Sequence, residues 1–336
     1  MTSLVIELSV MLFVILAASE LFTNALEHLG ERLTISEGVT GSLFAAVGTA
    51  LPETTVPLLA LFAGTSDVGV NEEIGVGAIL GAPLMLSTLT TCLMAVAILR
   101  RRGLGGRVIP EKSGFERDTN VFLFAFALAA VAMFVPENAH YVRGALSFLL
   151  VLIYFVYVMM TIRASNALVE DGHGTEADER MFLARIGLPT NLATILLQLG
   201  AGVALIVFGA KGFIHGVDGV ARSLGISTLL LSLLIIPIAT ELPEKVNSIL
   251  WIRRDKDTLA FGNITGAMVF QGTLLPAIGI MLTPWEPRVE VLGGVLITWL
   301  AAGWLRLNSR SQGLPVWVLL ANGILYVIYL SVTLSR

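Results

Sequence analysis

Long apolar runs follow one another along this chain, separated by short polar clusters. A helix that crosses a bilayer needs roughly 20 mostly apolar residues. Ten stretches meet or approach that length: 4–29, 36–63, 73–99, 119–135, 142–162, 190–215, 226–252, 258–283, 289–305 and 314–334. The fourth is short and ends at Pro136. The first run lacks a basic leader and an A-x-A cleavage pattern, so it reads as a retained span rather than a signal peptide.

Composition sharpens this reading. The 336 residues are 55% hydrophobic and 14% charged, with a mean hydropathy of +0.83; soluble domains carry about 25% charged residues. The net charge of −4 and the lack of a basic run point away from nucleic acid. A single cysteine, Cys92, rules out an intrachain disulfide, a thiolate metal centre and CxxCH haem attachment. His28, His140, His173 and His215 form no i,i+4 pair, which argues against zinc. HExxH, G-x-S-x-G and a paired intramembrane aspartate motif are all missing from the sequence, so an enzyme is not expected, nor a cofactor.

Lys and Arg set the expected orientation. The connections after spans 1, 3, 5, 7 and 9 hold Arg32; Arg100, Arg101, Arg102, Arg107, Lys112 and Arg117; Arg163, Arg180 and Arg185; Arg253, Arg254 and Lys256; and Arg306 and Arg310. That is 15 of the 21 basic residues. The other connections hold Arg143, Arg222, Arg288 and Arg336, while Lys211 and Lys245 fall within spans. The expectation is an integral protein of the plasma membrane with both termini outside. The polar stretch 164–189 is then a cytoplasmic link between halves.

The halves repeat. Sliding residues 20–55 along by 191 positions aligns Phe22, Leu33, Ile35, Ser36, Leu43, Thr49, Leu51, Pro52 and Glu53 with identical residues at Phe213, Leu224, Ile226, Ser227, Leu234, Thr240, Leu242, Pro243 and Glu244. A second pair, GAILGAPLMLSTL (77–89) and GNITGAMVFQGTL (262–274), shares a G-x-x-x-G opening. Five spans per half is an odd number, so the second copy enters from the opposite side. The fold class expected is an all-α polytopic membrane protein of ten transmembrane helices in two inverted five-helix repeats, with 1–163 and 190–336 as the repeats.

Each copy carries T-x-L-P-E inside an apolar run. Proline removes an amide donor and releases the carbonyl four residues back, here near Gly48 and Ala239. A released carbonyl, the hydroxyls of Thr49 and Thr240 and the carboxylates of Glu53 and Glu244 are hard oxygen donors of the kind calcium and sodium take. A carboxylate at membrane depth costs at least ~2.5 kcal/mol, and two facing ones repel unless a cation or protons neutralise them. Glu241 lies three residues before Glu244 on the same helical face. It reads either as an added ligand or as the partner of Lys211 or Lys245. Asn263 and Gln271 lie eight apart on one stripe with Ala267, as further ligands or as interhelical glue. The pairs Gly77/Gly81 and Gly262/Gly266 suit close helix packing. Glu20 and Lys211 hold matching places in spans 1 and 6, where they either snorkel or pair.

At these residues the chain resembles the cation/calcium antiporter superfamily, the sodium/calcium exchanger membrane region. GTALPE (48–53) and ATELPE (239–244) are similar to that family's GT-S-x-P-E signature. The resemblance implies that Thr49, Glu53, Thr240 and Glu244 bind Ca²⁺ and a counter-ion, that spans 3 and 8 complete the sites, and that spans 1 and 6 slide to alternate access. The chain departs from the pattern at Ala50, Glu241, Ala78, Ala82, Leu86 and Ala267, while Asn263 is kept and Gln271 holds a later polar position. The first repeat has lost oxygen donors and the second has gained a carboxylate.

The expected activity is secondary antiport of Ca²⁺ against Na⁺ or H⁺ at a midplane carboxylate site. Its partners are inorganic cations and the lipid bilayer, with metal ligands Glu53, Glu244, Thr49, Thr240, Glu241, Gln271 and Asn263. The alternatives are a non-transporting cation sensor or scaffold of the same fold, and a cation channel.

Overall fold

Apolar sequence at membrane depth leaves the backbone no water to bond to, so helices, which satisfy their own amides, are the favoured solution. The computed structural model is built almost wholly of them. It describes residues 2–32, 51–64, 66–169, 180–225, 227–253, 255, 257–309 and 312–334. The helices are α1 (Thr2–Arg32), α2 (Leu51–Ala63), α3 (Val68–Met85), α4 (Thr91–Arg102), α5 (Lys112–Ala132), α6 (His140–Val169), the short α7 (Phe182–Arg185), α8 (Leu192–Leu224), α9 (Thr228–Thr240), α10 (Leu242–Arg253), α11 (Asp257–Leu282), α12 (Val289–Asn308) and α13 (Val316–Leu334). A π-helical turn, Leu86–Thr90, joins α3 to α4.

Among the described residues, seven stretches are long and apolar enough to cross a membrane, and Glu53–Phe62 and Thr228–Pro237 are shorter apolar helices. The chain is therefore an integral membrane protein of helical spans. The fourth expected span, 119–135, is a helix that starts earlier, at Lys112. Its first two turns, KSGFERD, are too charged for the whole helix to count as an apolar crossing. The seventh, 226–252, is two helices broken at Glu241. Of the second, 36–63, only α2 lies within the described residues.

The chain forms two compact units, residues 1–66 with 156–225 and residues 67–155 with 226–336. In the first, α1 and α8 run antiparallel. Leu4 faces Gly219, Leu8 faces Gly216, Met11 faces Gly212, Ile15 faces Gly209 and Phe22 faces Gly202. A β-carbon on Gly212 would stand 2.6 Å from Met11 Cγ, so the glycines are what lets the two helices come this close. The same register carries Glu20 and Lys211 about 10 Å apart along the axis, and both are exposed. Gln198 Nε2 donates to Leu21 O and to Asn24 Oδ1, both at 2.9 Å. Asn24 Oδ1 and Gln198 Oε1 in turn accept from the amides of Phe182 and Leu183, tying α7 to both long helices. Asn191 and Thr194 form a capping box at the start of α8, and Gly225, with φ 67°, closes its end.

In the second unit, α3 with its π turn and α4, together with α11, form the most buried stretches, each with 67% of its apolar window enclosed. Gly77 and Gly81 of α3 lie against α9: a β-carbon at Gly77 would stand 2.5 Å from Ser232 Cβ, and one at Gly81 2.3 Å from Leu233 O. The same spacing at Gly262 meets nothing within 4 Å among the described residues. Arg143 of α6 closes the end of α11, with Nε donating to Ile280 O and Nη1 to Pro284 O, each at 3.0 Å.

Three loops of this unit meet at one end. Arg102 forks onto Asp257 with two bonds of 2.8 Å and reaches Asp255 at 2.6 Å. Asp257 Oδ2 also accepts the Ile109 amide at 2.8 Å. Strands β1 (Arg107–Val108) and β2 (Leu314–Pro315) pair antiparallel. The connections after expected spans 3, 7 and 9, all in the basic set, therefore share one face.

Candidate functional site

Pro243 has no amide hydrogen to give, so a helix running through this segment cannot close its ladder there. The structure interrupts the helix at Glu241, between 13 residues of α9 and 12 of α10. Glu241 thus sits halfway along an apolar segment, and it is 0% exposed.

Gln271 and Lys245 both meet its carboxylate. Gln271, on α11 and 1% exposed, donates from Nε2 to Glu241 Oε1 at 3.3 Å. Lys245, one turn on and 5% exposed, brings Nζ to 3.6 Å from Glu241 Oε2 and donates to Pro237 O at 2.9 Å. A bare carboxylate at this depth would be expensive; a lysine and an amide offset that cost. The Lys245 ammonium thereby lies between a carboxylate oxygen and a backbone carbonyl, the surroundings a small cation seeks. Gln271 Oε1 is buried and meets no hydrogen-bond donor among the described residues. It is an acceptor held ready at the same place.

The other expected ligands are distributed as follows. Thr240 is buried and its Oγ1 donates back to Ile236 O at 3.1 Å. Asn263 donates to Ser248 Oγ at 3.0 Å, two turns along α10 from Glu241. Asn263 and Gln271 thus use one face of α11 to meet the broken segment at two points two turns apart. Glu53 is buried, 4% exposed, in the first turn of α2, within the first unit. Glu244 lies in the first turn of α10 with its side chain outside the described residues, and Thr49 lies wholly outside them. Ser248, four residues after Glu244, was not singled out from the sequence; it is the acceptor that Asn263 uses. Glu241 was open between an added ligand and a partner of Lys211 or Lys245, and it pairs with Lys245.

At the end of this unit opposite the knitted loops, Glu72, Glu73, Leu229, Trp285, Glu286 and Arg288 line a small open cleft. Arg288 bonds Glu73 at 2.6 Å there.

An apolar, almost wholly helical chain that buries an acid, an amide and a lysine at a broken helix is an integral membrane protein. The chain belongs to the sodium/calcium exchanger protein family, whose model matches residues 3–163 and 194–335. It is 25% identical over 276 residues to CaxA of Alkalimonas amylolytica, a candidate antiporter by name, covering 81% of this chain and 79% of that one. It is 23% identical over 310 residues to the sodium/calcium exchanger MaX1 of Methanosarcina acetivorans, covering 85% and 88%. Its fold is that of the crystal structure of the H⁺/Ca²⁺ exchanger CAX, with a TM-score of 0.74 and 19% identity over 98% of this chain and 82% of that one.

Proposed function

We propose that this chain is a secondary active antiporter that exchanges Ca²⁺ for Na⁺ or H⁺ by alternating access. The observation that carries this reading is Glu241, fully buried at a proline-imposed break halfway along an apolar segment, with the Gln271 oxygen beside it. Lys245 neutralises that acid, so the oxygen this break offers to a mobile cation is Gln271 Oε1. Family membership and relatives named as exchangers of Ca²⁺ with Na⁺ or H⁺ support the same cargo.

In this reading Glu53 and Glu244 are the principal carboxylates of a midplane site. Thr49 and Thr240 supply hydroxyl or local backbone oxygens, Gln271 an amide oxygen, and Asn263 holds α10 against α11. The two halves, 1–163 and 190–336, are inverted repeats, as the antiparallel run of α1 against α8 supports. The basic face formed by Arg102, Asp257 and the β1–β2 ladder is cytoplasmic, and the termini are outside. The glycine-seamed pair α1/α8 is the moving part.

The deciding experiment uses purified protein in sealed vesicles. Ca²⁺ uptake should follow an outward Na⁺ or H⁺ gradient, each tested alone, and be abolished in Glu244→Gln. Uptake that ignores both gradients means a channel. The sensor reading draws support from the neutralisation of Glu241 by Lys245; bound Ca²⁺ without any flux would establish it.

A further inference from the structure

Lys245 is an unusual residue to find buried at the heart of a cation site. Its ammonium lies 3.6 Å from Glu241 Oε2 and 2.9 Å from Pro237 O. Those two oxygens, a carboxylate and a main-chain carbonyl, are what a transported cation would take from the protein. The Glu241 carboxylate spends its other oxygen on the Gln271 amide nitrogen, which turns Gln271 Oε1 outward from that bond as a buried acceptor lacking a donor among the described residues.

We propose that Lys245 is a tethered cation. It permanently occupies the position beside Glu241, cancels that carboxylate, and so sets how many mobile cations the site takes per cycle. The inference rests on the antiport reading and deepens it. With the ammonium in place, Glu241 adds no net charge, and Gln271 Oε1 is the neutral oxygen this corner offers to cargo. Without it, an extra buried negative charge must be met by a further monovalent cation, because an uncompensated carboxylate at membrane depth is not tolerated. The i,i+4 spacing from Glu241 places the lysine one helical turn along, so the compensating charge travels with the carboxylate on one helix.

The test compares full-length wild type, Lys245→Met and the double variant Glu241→Gln/Lys245→Met. Ca²⁺ affinity is measured by calorimetry in detergent, and the counter-ion to Ca²⁺ ratio from flux reversal in vesicles. Removing a positive charge beside the site should tighten Ca²⁺ binding about tenfold or more and raise the ratio by one monovalent ion. The double variant should return both to the wild-type values. A lysine whose role is only structural would leave the counter-ion to Ca²⁺ ratio unchanged on removal. Unchanged or weakened Ca²⁺ binding in Lys245→Met overturns the proposal, as does a double variant that fails to restore the wild-type ratio. If Lys245→Met does not fold, the double variant decides alone: folded with wild-type Ca²⁺ affinity it supports the tethered cation, and unfolded or non-binding it overturns it. Wild type that binds Ca²⁺ but shows no coupled flux overturns the antiport reading, while the affinity comparison still decides the role of Lys245. Wild type that binds no Ca²⁺ overturns both.

Discussion

Gly81 lies so close to Leu233 that a β-carbon built on the glycine would stand 2.3 Å from the leucine carbonyl oxygen. Backbone thus touches backbone where α3 crosses the helix that ends at Glu241. The contact fixes the first half of the broken segment against a second helix, and so fixes where the buried acid begins.

Gly81→Ala should therefore force α3 and α9 apart, with a loss of about 1–3 kcal/mol typical of overpacking. The check is a thermal unfolding curve in detergent. Gly262→Ala is the internal control. Its new methyl meets nothing within 4 Å among the described residues, so its stability should hold or rise slightly with helix propensity.

Gln271→Leu removes both the donor to Glu241 Oε1 and the waiting amide oxygen. Hydrogen bonds to charged groups are worth about 1.5–3 kcal/mol, so Ca²⁺ binding should weaken by at least about tenfold. Gln271→Asn, one carbon shorter, should recover part of the loss only if the chain can close the gap. Calorimetric affinity for Ca²⁺ reads both.

Glu53→Gln should abolish counter-ion-driven Ca²⁺ uptake, whereas Thr240→Ser should leave it within about threefold. The hydroxyl of Thr240 bonds Ile236 O, a contact serine can reproduce, at a net worth of about 1 kcal/mol. Uptake by Glu53→Gln at wild-type rate would remove Glu53 from the site.

The loop face has its own electrostatic signature. Arg102 and then Arg101, by hydrogen bonds, hold the Asp255 carboxyl below its usual 3.8. A carboxyl so lowered stabilises the fold at pH above its unfolded value, and the benefit fades as pH falls through the lower folded value. Protease sensitivity of the loops should therefore stay flat from pH 7 to about 4 and rise only below that. Asp257→Asn, which strips charge from the enclosed Arg102 fork and weakens the acceptor of the Ile109 amide, should raise it at neutral pH. A loss on the order of 3 kcal/mol is expected for breaking a buried pair.

The parts of this molecule governed by local rules were readable from the chain. The apolar runs marked the helices, Pro243 marked the break, and the four-residue spacing of Glu241 and Lys245 allowed their pairing. What depended on distant partners was not readable. Gly77 and Gly262 open the same G-x-x-x-G pattern, yet only Gly77 meets a neighbouring helix among the described residues, and nothing in the spacing tells them apart. The π turn at Leu86–Thr90 leaves no mark on composition, because it adds a residue to a turn without changing what the turn is made of. The β1–β2 ladder joins segments some 200 positions apart through two residues each, too few for a strand pattern to show. The anchoring of α7 by Asn24 and Gln198 likewise needed coordinates, since either side chain alone reads as a polar spot on a span. Thr49 and the Glu244 side chain lie outside the described residues.

The side chains of α1 drop into the glycine gaps of α8 at five levels from Leu4 to Phe22, like teeth in a rack. Neither helix can advance by a fraction of a turn without riding up on the other's backbone. Spectroscopic labels on the two helices would then keep a constant separation through a whole transport cycle. On the antiport reading proposed above, either label alone would report the stroke of both.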